Sequence, residues 1–250
     1  MKSTKLKASV FFHLLFTFYF ILSTSRRPPL AYQTHSFFKG RPLNSEAVIL
    51  VHGLYLNGMD MGLLRRRLEH AGFNTLRFSY HSLQNTPLEN ALTLQACVEK
   101  IKNPVIHYVC HSLGGLVIRQ LFHHYPEQRP GRIVTLGTPH STSSAAQKLN
   151  HSVPGRMLLG KSIKQGLLGD VPPWRNSHDL GVIAGTLRLG LGMFVPGIPR
   201  PNDGTVAVAE TRLDGMKDHI TLAVSHFGML ISVAVARQSI HFLQHGRFQH

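Results

Sequence analysis

The sequence predicts an α/β fold: an about six-stranded, mostly parallel sheet with helices on both of its faces. Two observations lead to this prediction. Short apolar runs rich in β-branched residues alternate with longer stretches that have helical periodicity. One of these runs, AVILV at Ala47–Val51, is continuously apolar, as expected for a strand buried on both faces. Strands that alternate with helices form parallel sheets, because each helix returns the chain to the same end of the sheet.

The elements follow in order from the first apolar run to a C-terminal helix. The predicted strands are Ala47–Val51, Phe73–Tyr80, Val105–Val109, Arg132–Gly137, Gly181–Thr186 and Ile220–Ser225. The predicted helices are Met61–Ala71, Pro87–Ile101, the stretch between Ser112 and Pro126, and Met229–Leu243. Residues 139–180 are rich in Ser, Gly, Pro and Lys and show no clear alternation. We therefore expect one domain over residues 45–245, with a lid-like insertion at about 141–178.

Composition sets the size of the core and the charge. The 250 residues are 43% hydrophobic, enough for one domain with a sizeable core. Lys and Arg number 27 against 12 Asp and Glu, giving a formal net charge of +15 and indicating an anionic partner, either a phospholipid surface or nucleic acid. The basic residues are scattered, and no nucleic-acid motif or stacking cluster accompanies them. We therefore expect an anionic membrane surface as partner, and no nucleic acid.

The N-terminal segment has the composition of an export signal. Lys2, Lys5 and Lys7 precede the uncharged run Ala8–Leu22, and small residues follow at 23–25. As a helix the run would span roughly 22 Å, short for a bilayer core of about 30 Å. Residues 1–25 are therefore predicted to be a signal peptide or signal anchor, followed by a linker at 26–44. The protein would be exported (periplasmic or secreted) or anchored to the membrane; the alternative is a buried N-terminal helix.

A serine lies at a strand-to-helix junction with almost no loop. The segment YVCHSLGG, residues 108–115, leads from the third strand directly into a helix. This turn can expose the Ser112 hydroxyl at the carboxyl end of the strand, and the helix N-terminus offers the Leu113 N–H as an oxyanion donor. Gly114 and Gly115 allow the helix to approach the sheet closely. The alternative is an ordinary N-cap serine.

The position of the strand ends selects a base among 17 histidines. In parallel sheets, ligands bind at the carboxyl ends of the strands. His226 follows the sixth predicted strand, whereas His219 precedes it, and about six residues at 3.3 Å each place the two roughly 20 Å apart. His226 is therefore the predicted base, and His219 replaces it only if the strand assignment is wrong. His52, His111 and His140 lie at the same edge, where a packing or hydrogen-bonding role is the simpler interpretation.

The same rule selects the acid. Asp203, in PNDGTV, follows the fifth strand and precedes the histidine. Asp170 falls in the irregular insertion, and Asp179, Asp214 and Asp218 belong to the opposite ends of strands. A simple Asn-Asp-Gly turn remains the alternative reading of Asp203.

Five segments together resemble a known family: HGLYLNG, CHSLGGLVIR, LGTPH, NDGTV and SHFGML. They are similar to the bacterial lipase/esterase branch of the α/β-hydrolases over roughly residues 45–245. Within them, Cys110–Gly114 resembles the nucleophile elbow G-x-S-x-G, with a cysteine at its first glycine. Both Cys97 and Cys110 are predicted to be core residues.

This resemblance implies a site and a chemistry. Ser112, Asp203 and His226 occur in the chain order that this fold uses for its catalytic triad. The second oxyanion donor is implied at the backbone N–H of Leu54, after His52-Gly53. The implied activity is hydrolysis of carboxylic esters, often acylglycerols, through an acyl-enzyme and without cofactor or metal.

The resemblance also implies two segments that contact the substrate. By resemblance, Leu187–Arg200 lines an acyl pocket or forms a flap, and residues 153–168 form a lid or interfacial helix. A surface insertion without substrate role is the alternative for 153–168. Two other functions stay open: an acyltransferase with the same triad, and a non-catalytic binding protein on a hydrolase scaffold.

Overall fold

Six parallel strands form one sheet in the part of the chain that the computed structural model describes, which is residues 46–175, 178–190, 195 and 197–250. The strands are β1 (Ala47–Val51), β2 (Asn74–Phe78), β3 (Ile106–His111), β4 (Ile133–Leu136), β5 (Leu180–Gly185) and β6 (Asp218–Leu222). Their order is β2-β1-β3-β4-β5-β6, and every neighbouring pair is parallel. The predicted α/β fold is confirmed. The predicted signal segment and linker lie outside the described residues.

Helices cover both faces of this sheet. They are α1 (Gly62–His70), α2 (Pro87–Val98), α3 (Leu113–His124), α4 (Ser144–Asn150), α5 (Val153–Leu159) and α6 (Val233–His245). Successive strand residues enter different cores: Ile49 packs with α2 and α3, and Leu50 packs with α1 and α6. This alternation explains why β1 is apolar at every position. Within the described ranges, no helix combines the length and apolarity needed to cross a membrane.

The predicted insertion contains two helices. One of them, α5, lies within the segment 153–168 that was predicted to form a lid or interfacial helix, whereas the sequence pattern did not reveal α4. Both α4 and α5 have seven residues, too few for an apolar periodicity to stand out. Serines define their starts: the Ser143 hydroxyl accepts from the Ala146 N–H, and that of Ser152 accepts from the Gly155 N–H. A Cβ on Gly155 would lie 1.9 Å from the Leu149 carbonyl oxygen, so the two helices pack too closely for any side chain there.

A buried arginine ties the insertion to the helix that follows Ser112. Arg119, on α3, is 5% exposed and donates hydrogen bonds to the carbonyls of His140, Val171 and Pro172. These carbonyls lie on both sides of the α4–α5 region. Burial lowers the pKa of Arg119 to about 10, which leaves the guanidinium charged at neutral pH.

Several predicted boundaries were wrong by a few residues. The sixth strand is Asp218–Leu222 rather than 220–225, because its pairing begins with Asp218 opposite Gly181. The last helix begins at Val233, capped by Ser232, after a short 3₁₀ turn. The packed chain also continues past residue 245, since Phe248 is buried beside Phe242.

Candidate active site

Ser112 occupies a sharp turn between β3 and α3. Its main chain has φ 52° and ψ −119°, a conformation that costs an L-residue about 1–3 kcal/mol. Two contacts hold it there. The Ser112 N–H donates to the Leu136 carbonyl at 2.9 Å, and the Thr138 hydroxyl donates to the Ser112 carbonyl at 2.8 Å. Strand β4 and its following loop therefore impose the conformation of the serine.

The two glycines after Ser112 are required by close packing. A Cβ on Gly114 would lie 2.4 Å from the Val51 carbonyl oxygen, and one on Gly115 would lie 2.3 Å from the Thr138 hydroxyl. The start of α3 thus lies directly against the end of β1. Cys110, at the first glycine of the elbow pattern, is fully buried in β3, and the turn forms with cysteine there. Burial raises the pKa of the Cys110 thiol well above its usual value, so it stays neutral.

Asp203 and His226 form a buried pair. His226 Nδ1 lies 2.7 Å from Asp203 Oδ2, and the two residues are 3% and 1% exposed, respectively. The second carboxylate oxygen accepts from the N–H groups of Thr205 at 2.9 Å and Val206 at 2.7 Å. Asp203 therefore forms the turn that the alternative reading suggested and contacts the histidine as well. A proton on Nδ1 directed at the carboxylate leaves Nε2 of His226 free to accept one.

Ser112 and His226 line the same cavity, of about 120 Å³. Leu54 also lines it, and Leu113 is the first residue of α3. Among the described residues, neither the Leu54 nor the Leu113 N–H donates to an acceptor, as an oxyanion donor requires before substrate binds. Their assignment as oxyanion donors stays a prediction.

The alternative histidine His219, and the aspartates Asp170 and Asp179, make other contacts. His219 is the second residue of β6, and its Nε2 lies 3.0 Å from the Thr211 hydroxyl. Asp170 accepts hydrogen bonds from N–H groups within the insertion. Asp179 lies near Arg132 and Lys217 at the amino ends of the strands. Within the described ranges, no three His, Cys, Asp or Glu side chains form a group that could hold a metal ion.

Gly137 packs against the Asp203–His226 pair, a contact that the sequence did not indicate. Gly137 follows β4 with φ 58°. A Cβ there would lie 2.9 Å from Asp203 Oδ2 and 3.0 Å from His226 Nδ1. The available signal was its location at the carboxyl edge of a strand, but nothing in the sequence indicated which side chains it would contact.

His52 fixes the loop that carries Leu54. Its ring stacks on Tyr80 with centroids 4.1 Å apart, and Nε2 accepts from the Tyr80 N–H at 3.2 Å. Nδ1 donates to the Gly53 carbonyl at 2.8 Å, which defines the tautomer. Burial lowers the pKa of His52 to about 4, so the ring is neutral and keeps both contacts at neutral pH.

Comparison with known proteins yields matches of two kinds. A family model described as a domain of unknown function (DUF7379) matches residues 31–154. A comparison with curated protein sequences finds no match. Among solved structures, the chain is similar to the mature lipase BlEst2 of Bacillus licheniformis, with 20% identity and a TM-score of 0.66 over 82% of this chain and 94% of that one.

Two further solved structures are similar at lower identity. The metagenomic carboxyl esterase MGS0156 has 17% identity and a TM-score of 0.58, covering 81% of this chain and 68% of its own. The pyrethroid hydrolase PytH has 13% identity and a TM-score of 0.57, covering 80% and 98%. At such identities the likeness shows a shared fold.

We predict that Gly137→Ala disrupts the Asp203–His226 pair. The added methyl would overlap both side chains, lowering the free energy of unfolding by about 1–3 kcal/mol in urea denaturation. The low-field proton resonance of the His226 Nδ1–H should shift or disappear. Gly72→Ala is the control, because Gly72 also has a positive φ, of 99°, but nothing lies within 4 Å of its Cβ position. Equal behaviour of the two variants would contradict the prediction.

Proposed function

The chain has the α/β-hydrolase fold, and we propose that it is a serine hydrolase that cleaves carboxylic esters through an acyl-enzyme. One observation carries this proposal: Ser112, in its sharp turn, lines the same cavity as a histidine that is paired with a buried aspartate. The names of the similar structures, which include a lipase and a carboxyl esterase, support the same class of activity.

The proposed reaction has two halves, acylation and deacylation, and in each half His226 accepts a proton and then returns it. His226 Nε2 accepts the proton of Ser112 Oγ while Oγ attacks the ester carbonyl. The N–H groups of Leu54 and Leu113 receive the developing oxyanion. His226 then returns the proton to the leaving alcohol. His226 then takes a proton from the water that attacks the acyl carbonyl and donates it to Ser112 Oγ as this oxygen leaves, which releases the acid and restores Ser112 and His226.

The two alternative functions make different demands on the site. An acyltransferase would use the same groups and differ only in passing the acyl chain to an alcohol. A binding protein needs neither the strained conformation of Ser112 nor a histidine paired with a buried carboxylate. Because both features carry a cost in free energy and are explained by catalysis, they favour an enzyme.

The cavity has the lining of an acyl-chain chamber. Its walls are mainly apolar and come largely from the insertion: Ala145, Ala146, Leu149, Leu158, Leu159 and Leu167. This supports a substrate role for the insertion over a plain surface role. The volume of about 120 Å³ is below the roughly 300–1,000 Å³ of typical ligand pockets. We therefore expect short acyl chains to be preferred.

The segment 141–200, which supplies many of the residues that line the cavity, has more basic than acidic residues. Residues 141–200 carry seven Lys or Arg and two Asp or Glu, an excess of five positive charges, whereas residues 201–250 carry four of each. Apolar side chains are exposed nearby: Val153 and Met157 on α5, next to the cavity-lining Leu158, and Phe227 at the cavity itself. We propose that this face docks on an anionic lipid surface. We also propose export or membrane anchoring through residues 1–25, because their basic start and uncharged run have the composition of an export signal.

A fluorophosphonate should label Ser112 and abolish hydrolysis of p-nitrophenyl esters. Ser112→Ala should lower kcat by about 10³-fold or more, since it removes the nucleophile. Ser141→Ala, at an exposed serine, is the control and should retain activity. Labelling elsewhere, or an active Ser112→Ala variant, would refute the proposed mechanism. Product analysis with an added alcohol separates the classes, because net acyl transfer in dilute aqueous solution would indicate an acyltransferase.

The acyl chamber can be tested by chain length. The butyrate ester should be hydrolysed with a kcat/KM about tenfold or more above that of the palmitate ester. Ala146→Leu should fill part of the chamber and shift the preference towards acetate. Gln147→Leu, on the exposed side of the same helix, should leave the preference unchanged. An unchanged chain-length profile in Ala146→Leu would exclude this chamber as the acyl site.

Co-sedimentation with vesicles tests the docking face. Binding should rise with anionic lipid content and fall with added salt. Reversing two charges, with Lys161→Glu and Lys164→Glu together, should weaken binding about tenfold or more, at roughly 1 kcal/mol per basic residue near the membrane. Arg237→Glu, on the exposed side of α6, should have a smaller effect. Equal binding to neutral and anionic vesicles, or tighter binding to DNA, would refute the proposal.

A further inference from the structure

His111, the last residue of β3, contacts the main chain of the proposed base. It is 1% exposed, and its Nε2 lies 3.0 Å from the carbonyl oxygen of His226. The two imidazole rings have centroids 4.7 Å apart and are tilted by 49°. A carbonyl oxygen can only accept a hydrogen bond, so Nε2 of His111 must carry a proton and donate it.

The other ring nitrogen of His111 has no hydrogen-bond partner among the described residues. Nδ1 points towards Gly53, where a Cβ would lie only 2.9 Å from it. The Nε2 contact is therefore what selects the tautomer of this ring. Burial, and next the nearby His226, lower the pKa of His111 well below its ordinary value, so the ring is a neutral donor.

His226 lies outside regular secondary structure, four residues after β6 ends. No strand ladder holds its main chain. Two of its contacts run to Asp203: the side-chain bond through Nδ1, and the bond from the His226 N–H to the Asp203 carbonyl at 2.9 Å. The contact between the His226 carbonyl and His111 differs from these two contacts with Asp203. It connects His226 directly to the strand that carries Ser112, because His111 immediately precedes Ser112 in the chain.

We propose that His111 is a positioning residue that sets the distance between base and nucleophile. Its Nε2–H holds the main chain of His226 against the end of the strand that carries Ser112. The inference rests on the proposed function, since it assigns His226 as the base. A displacement of about 1 Å between such groups can lower the rate about 100-fold, so this contact is expected to matter for kcat.

Side-chain substitutions separate positioning from packing. A Gln amide nitrogen reaches about as far as Nε2 of His, whereas an Asn amide is shorter and Leu has no donor. For the full-length protein, His111→Gln should keep kcat within about threefold of the original, because one neutral hydrogen bond replaces another. His111→Leu and His111→Asn should lower kcat about 10- to 100-fold. Because His111 also borders the cavity, KM is measured for each variant, and a positioning role predicts that the loss falls mainly on kcat.

The kinetic results test the positioning role of His111 independently of the proposed hydrolase function. If the unmodified protein hydrolyses p-nitrophenyl butyrate and His111→Leu retains its kcat, the positioning role is wrong while the proposed function stands. If His111→Gln loses as much as His111→Leu, the donor role is wrong. If His111→Leu does not fold, the comparison of His111→Gln with His111→Asn decides. Recovery of kcat by Gln alone supports the proposal.

An NMR measurement tests the contact even if no ester is hydrolysed. With ¹⁵N-labelled histidine, the His111 ring should carry its proton on Nε2 and remain neutral from about pH 8 to about pH 5, where an unperturbed histidine titrates. The low-field His226 Nδ1–H resonance should move in His111→Leu and be restored in His111→Gln. The proposal would be overturned if the His111 ring carried its proton on Nδ1, or if the His226 Nδ1–H resonance kept the same chemical shift in both variants.

Discussion

The conformation of Ser112 is the constraint on which the rest of the site depends. A positive φ at this residue lets the chain leave β3 and enter α3 without a loop. That turn is possible only because the start of α3 can lie against the carbonyls of Val51 and His52, with glycine at position 114. The same contact brings the end of β1, and with it the loop that carries Leu54, next to the serine. A single local strain thus determines where Ser112 and both candidate oxyanion donors lie.

Neutral histidines lie at the carboxyl edge of the sheet, and one of them, His111, contacts the proposed base. Burial lowers the pKa values of His52, His111 and His140 below the ordinary value, and each ring makes a hydrogen bond at the carboxyl edge of the sheet. Positive charges at these positions would oppose proton uptake by His226 during the reaction. Imidazole rings can donate and accept hydrogen bonds in a dry environment without adding such charges. The high histidine content of the chain is therefore compatible with a single charged intermediate on His226.

The insertion contributes both to the cavity and to the basic protein surface. It supplies apolar cavity walls on its inner side and basic residues on its outer side. Arg119 holds it to α3, and the Glu210 carboxylate accepts from the N–H groups of Ser144 and Ala207. The second contact links the start of α4 to the turn that follows Asp203. The walls of the cavity are thereby fixed relative to both α3 and Asp203.

The sequence by itself determined the fold class and the edge of the sheet at which the site lies. Continuous apolar runs and helical spacing are local properties, and parallel strands necessarily gather residues such as Ser112, Asp203 and His226 at one edge. The tertiary structure decided what local patterns do not contain. The seven-residue helix α4 shows too little periodicity to be recognised, and the fit of Gly137 against Asp203 and His226 depends on three loops that are far apart in the chain. The contact between His111 and His226 joins residues 115 positions apart, and such a pairing follows from packing in three dimensions rather than from any spacing in the chain.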